Sequence, residues 1–146
     1  MRNKILACAL SALLALSAWG GAPALAGEQP SLQATSAPIL QIEGLEFKDL
    51  NKNGALDAYE DWRLAPEERA ANLISQMTAE EKAAQMVHIT LVTLKESFFT
   101  EQNVGFALAY NYLSEGPQAA AQKANELQAL SESARLGIPL VLSMDS

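Results

Sequence analysis

Cysteine is nearly absent from this chain: Cys8 is the only one, and it falls close to the N-terminus. The mature protein expected below has none, which excludes disulfide pairing and thiol chemistry. Cys8 also stands at the start of an apolar run and not after it, which argues against lipid attachment. Basic charge is scarce, with 10 Lys and Arg against 17 Asp and Glu, and no basic stripe gathers anywhere in the 146 residues. Nucleic acid and anionic membrane surfaces are therefore not expected as partners. No apolar run reaches the roughly 20 residues that a membrane-spanning helix needs. The run from Ile5 to Leu16 follows Arg2 and Lys4 and is succeeded by Gly20, Gly21, Pro23 and then Ala24-Leu25-Ala26. This is the pattern of a secretory signal over residues 1–26, cleaved after Ala26, so the protein is expected in the periplasm or outside the cell, free of the membrane once the signal is removed.

What remains divides into three stretches. Residues 27–44, "GEQPSLQATSAPILQIEG", lack a hydrophobic period and read as an extended arm or linker with little structure. Residues 45–63 contain a polar loop taken up below. From residue 64 to 146 the pattern alternates between helix and strand. Pro66 suits a first helical position, Glu67 and Glu68 favour the positive end of the helix dipole, and Ala70, Leu73, Ile74 and Met77 recur at helical spacing. Thr78 and Glu81 form a capping box for a second, short helix. "MVHITLVTL" and "VGFALAY" are β-branched and apolar and read as strands, with "KESFFTEQN" between them as a loop. After Pro117, a face of Ala120, Ala124, Leu127 and Ala134 predicts a long helix that Gly137 caps, ahead of Pro139. "IPLVLSM" is almost continuously apolar, as in a parallel strand buried on both faces. The order is that of a βαβ protein, an α/β fold. A closed barrel of this class takes about 250 residues, so the chain is expected to be the front of a larger protein.

The polar loop "DLNKNGALDAYE" places Asp49, Asn51, Asn53, Gly54, Asp57 and Glu60 at positions one, three, five, six, nine and twelve. That spacing fits the calcium loop of EF-hands: side-chain oxygens from the first three, the Ala55 carbonyl, Asp57 through water and a two-oxygen grip from Glu60. Gly54 permits the sharp turn and Leu56 is the apolar plug. No entering helix is legible in "ILQIEGLEFK" and there is no second copy. A structural Ca²⁺ is therefore expected in place of a regulatory sensor, and no organic cofactor. The competing reading is a polar turn in which the Asn and Asp side chains bond their own backbone.

Two longer stretches, "FKDLNKNGALDAYEDWRLAPEERAANLISQMTAEEKAAQM" and "NELQALSESARLGIPLVLSMDS", resemble in order and spacing the start of the secreted glycoside hydrolase family 3 enzymes, the β-glucosidase family. The resemblance runs from Leu45 to Ser146. It implies the N-terminal part of a (β/α)8 TIM-type barrel, truncated here, with the rest of the barrel and a C-terminal α/β sandwich missing. It also implies retaining hydrolysis of terminal β-linked glucosyl residues, with a β-linked oligosaccharide or glycoside as substrate and a carboxylate nucleophile and acid/base pair. Both catalytic carboxylates come from sequence beyond Ser146 in such enzymes, so no catalytic residue is assigned here and this fragment by itself is expected to be inactive.

Asp145 matches the family's aspartate that accepts hydrogen bonds from hydroxyls of the non-reducing-end sugar, a role suited to a charged acceptor. Its place after a strand is where barrel active sites are built. His88, the only histidine, is expected to be packed or hydrogen-bonded and not catalytic. Phe47, Tyr59, Trp62 and Phe106 are expected in the core and not as sugar-stacking rings, and Asp61-Trp62-Arg63 as packing between loop and barrel. Two other classes compete: a dockerin-like calcium-binding interaction module, which would need a second loop, and a periplasmic solute-binding domain complete within the chain.

Overall fold

The computed structural model describes residues 28–33, 35–91, 95–109 and 116–143. Residues 1–26, expected to be a secretory signal, and Asp145 lie outside the described residues. Among the described residues, five strands and four helices follow one another as β1 (Ile39–Ile42), β2 (Leu45–Lys48), α1 (Pro66–Gln76), α2 (Ala79–Ala84), β3 (His88–Thr90), α3 (Ser97–Thr100), β4 (Phe106–Leu108), α4 (Pro117–Ser133) and β5 (Val141–Ser143). This is a mixed helix and strand structure, as an α/β fragment requires.

The arm is more ordered than its composition predicts, because β1 pairs antiparallel with β2, Ile42 facing Leu45 and Ile39 facing Lys48. The two residues between them, Glu43 and Gly44, both take positive φ, 52° and 82°. A two-residue turn of that kind carries the twist that joins antiparallel strands. The signal was in the sequence, a Glu-Gly pair flanked by Ile and Leu, but Pro and Ser nearby masked it.

Helix α1 starts at Pro66 with Glu67 and Glu68 in its first turn. Helix α2 carries the expected capping box: Glu81 N donates to Thr78 Oγ1 at 3.2 Å and Thr78 N to Glu81 Oε2 at 2.9 Å. Two orphan amides of the helix start are thereby satisfied. The end of α2 then lies against the start of β4, where Gly105 N donates to the Ala84 carbonyl at 3.2 Å. A Cβ at residue 105 would come within 2.6 Å of the Gln85 carbonyl oxygen, so only glycine allows this approach.

Strands β3, β4 and β5 form a parallel sheet in that order, with His88, Phe106 and Val141 in one row and Ile89, Ala107 and Leu142 in the next. Alternation sends the second row toward the helices. Leu91, Phe99, Ala107, Ala109, Leu127 and Leu140 form the buried cluster there, with Ile89, Phe98, Leu130 and Leu142 packed against it. Phe99 comes from α3, in a stretch read from sequence as a loop. Its four residues are too few for a helical period to show, and the buried phenyl ring is what holds them.

The opposite face of the sheet is open: Phe106 is 39% and Val141 50% exposed. The continuously apolar "IPLVLSM" is thus parallel, as expected, but covered on one face only. Helix α4 also ends earlier than its periodicity suggests. Its last residue is Ser133, Ala134 is already extended, and Gly137, with φ 56°, serves the turn into β5 and not the helix terminus itself. Among the described residues no helix is long and apolar enough to cross a membrane.

Candidate functional site

The hairpin β1–β2 delivers the chain directly into the loop Asp49–Glu60, with Asp49 N donating to the Pro38 carbonyl at 2.9 Å. The loop closes on itself through its acidic side chains. Asp49, 2% exposed, accepts from Asn53 N at 3.0 Å and from Gly54 N at 2.8 Å. Gly54 has φ 79°, the left-handed geometry a glycine tolerates at this point of the turn. Asp57 Oδ2 accepts from the side-chain amides of both Asn51 and Asn53 at 2.7 Å. Glu60, 4% exposed, accepts from Leu50 N at 2.7 Å and Asn51 N at 3.2 Å through Oε1, and from Asp57 N at 3.0 Å through Oε2. The side-chain oxygens of Asn51 and Asn53 accept from Asn53 N and Ala55 N.

The structure therefore gathers Asp49, Asn51, Asn53, Asp57 and Glu60 into one compact turn whose hydrogen bonds are those of a polar Asx-rich loop. The donors that hold the three carboxylates are neutral amides. Tyr59 beside them is pushed above its usual pKa first by burial, then by Glu60, Asp57 and Asp49. Ca²⁺ takes hard oxygen donors of this kind. Among the described residues no three His, Cys, Asp or Glu side chains meet as a metal-ready group. A cation here would depend on the two asparagines and the Ala55 carbonyl as well as the carboxylates.

Beyond the loop, Asp61 and Arg63 pair at 2.7 Å, and the guanidinium holds the Asp61 carboxyl below its usual range. Arg63 also lies over the Phe47 ring at 4.8 Å, and Phe47 stacks on Trp62 with centroids 5.5 Å apart. Phe47 and Tyr59 are buried, as expected, whereas Phe106 stands on the open face of the sheet. His88 is exposed beside it and its Nε2 lies 2.7 Å from Ser143 Oγ, a hydrogen bond that spans the sheet from β3 to β5. Ser143 is the last described residue before Asp145 in the sequence.

Sequence reasoning passed over Glu132. It is a nearly buried carboxylate on α4 that accepts from Lys48 Nζ at 2.7 Å, from Ser36 N at 2.9 Å and from Thr35 through both N, at 2.8 Å, and Oγ1. Burial would raise its pKa, but Lys48, Thr35 and Ser36 outweigh this and bring it to about 2. A cavity of about 410 Å³, lined by Gln33, Lys48, Asn125, Gln128 and Glu132 among others, adjoins this junction. An acidic residue in a polar helix carries no local mark of a partner 84 residues away.

No family model matches the chain. It is 40% identical over 135 residues to a periplasmic beta-glucosidase/beta-xylosidase of Dickeya chrysanthemi, an alignment that covers 84% of this chain. The chain spans 21% of that relative's length. The likeness to glycoside hydrolase family 3 carried by Leu45 to Ser146 is thereby borne out, and the chain is consistent with a piece of such a protein.

Proposed function

We infer that the chain is the entry segment of an exported β-glucosidase-type glycoside hydrolase, the first part of a (β/α)8 barrel whose complete form hydrolyses terminal non-reducing β-D-glucosyl residues with retention. The observation that carries this reading is the sustained identity with a periplasmic β-glucosidase/β-xylosidase. The parallel β4–α4–β5 unit, with its helix packed on one face of the sheet, supports it. In this reading the chain contributes binding and not bond breaking. Asp145, two residues past β5, accepts hydrogen bonds from sugar hydroxyls, and the nucleophile and acid/base come from later sequence.

The loop would hold a structural Ca²⁺ through Asp49, Asn51, Asn53, the Ala55 carbonyl and Glu60, with Asp57 acting through water. The ion would neutralise carboxylates that the fold otherwise leaves to amides.

The experiment is Asp145→Asn in the full-length enzyme, assayed on an aryl β-glucoside. Charge-assisted bonds of this type are worth roughly 1.5 to 3 kcal/mol, so kcat/KM should fall about tenfold to a hundredfold. An unchanged kcat/KM would return Asp145 to the status of a loop residue.

A further inference from the structure

We propose that Asn53 is a site of spontaneous deamidation, gated by the hydrogen bonds that close the loop Asp49–Glu60, and that the modification, once made, keeps the loop open. Asn53-Gly54 is the only Asn-Gly pair in the sequence. Glycine has no Cβ to hinder its own nitrogen, so that nitrogen can attack the preceding side-chain amide. A bond forms from Gly54 N to Asn53 Cγ, the Cγ–Nδ2 bond breaks, and the Gly54 amide proton leaves with Nδ2 as ammonia. Water then opens the cyclic imide at either carbonyl and gives aspartate or isoaspartate at position 53. Both residues are exposed, so water reaches them, and nothing else is consumed.

The closed loop withholds the groups this step needs. Gly54 N donates to the buried Asp49 carboxylate at 2.8 Å, which turns the nucleophile toward Asp49. Asn53 Oδ1 accepts from Ala55 N and Asn53 Nδ2 donates to Asp57 Oδ2, both at 2.7 Å, so the amide is fixed at both ends. The preceding residue is tethered as well. Lys52 has φ 61°, and its ammonium donates to the carbonyls of Glu132 at 2.9 Å and Ala134 at 3.1 Å at the C-terminus of α4, where a helix leaves carbonyls without donors and favours positive charge. Leu50 lies so close to Gly137 that a Cβ there would be 2.9 Å from the Leu50 oxygen. Attack therefore requires a local opening in which Asn53 and Gly54 leave their partners together. The product cannot restore them: with Nδ2 gone, Asp57 loses a donor and meets a second carboxylate, and isoaspartate also lengthens the main chain by one carbon.

The test is incubation of the full chain at mildly alkaline pH in a chelating buffer, native and in urea, with peptide mapping by mass spectrometry to follow conversion of Asn53. Conversion should be slow in the native chain and fast in urea. Asp57→Ala and Lys52→Met should each raise the native rate about tenfold, the order expected when one hydrogen bond involving a charged group is removed, and leave the rate in urea unchanged. Asn51, Asn72, Asn103 and Asn125, which precede Lys, Leu, Val and Glu, should stay intact over the same period. The modified chain, separated by its added charge, should exchange the Gly54 amide faster than the unmodified one. If neither variant folds, the native and urea rates of the wild type decide. Equal native and urea rates, or wild-type native rates in both folded variants, overturn the gate. No conversion in urea overturns the site, and Gly54 protection unchanged by the modification overturns the lasting opening.

Discussion

The loop between Asp49 and Glu60 and the sheet formed by β3, β4 and β5 are held in opposite ways. In the loop, carboxylates and asparagines close mostly on amides within ten residues, such as Leu50 N on Glu60, with one longer reach from Gln76 Nε2 to Asp57 Oδ1. In the sheet, the stabilising contacts come from α3 and α4 laid over one face, while the other face keeps Phe106 and Val141 exposed. A segment that satisfies its polar groups locally is specified by its own spacing. A sheet is specified by whatever covers it, and here one side is covered and the other is not.

The comparison breaks most readily at Phe99. It is fully buried among Leu91, Ala107, Leu127 and their neighbours, and Phe99→Ala should cost about 3 to 5 kcal/mol. Urea unfolding measures that loss. Trp62, stacked on Phe47 beside the loop and the only tryptophan among the described residues, should keep its native emission before the transition. A cost under about 1 kcal/mol would mean that α3 is not part of the core.

A second measurement probes the junction between the two regions, the Glu132 carboxylate. Its pKa is depressed from the ordinary 4.5 to about 2, so its stabilising effect is complete above pH 4.5 and is lost as the pH falls through about 2. The gap corresponds to about 3 kcal/mol. Stability of wild type and Glu132→Gln, measured in denaturant from pH 6 down to 2, should converge at the acid end. Parallel curves would show that Lys48, Thr35 and Ser36 do not hold the charge.

The smallest effect is expected at Thr78, whose cap is local in the same sense as the loop. Thr78→Ala should lower stability by about 1 kcal/mol, read as a small fall in Tm. Glu81 keeps its pairing with Arg135, which holds its carboxyl below the usual range, so the start of α2 should persist. A larger loss would give α2 a role in the packing of β4 that its lack of buried residues does not suggest.

What was legible in the sequence follows the same division. Pro66 and the Thr78–Glu81 box each announce structure within a few residues and are found where expected, while the Asp-Asn-Asn-Gly-Asp-Glu spacing folds as a turn closed by its own amides. The parallel character of β5 was legible from its unbroken apolar run. The β1–β2 hairpin was not, because its two strands are only four residues each and polar residues precede them. Helix α3 escaped for a similar reason, being one turn long.

By itself, then, the sequence determined the caps, the polar loop and the family likeness, since these depend on residue types at short fixed spacing. The tertiary structure decided that Glu132 anchors the arm, that Lys52 completes the C-terminus of α4, that Gly137 lies against Leu50, and which face of the sheet is covered. The first three of those contacts join residues eighty or more positions apart, and the covering of the sheet joins separate elements. A lysine, a glutamate or a glycine carries no local signature of which distant carbonyl or amide it will meet, because that choice is made only when the helices pack on the sheet.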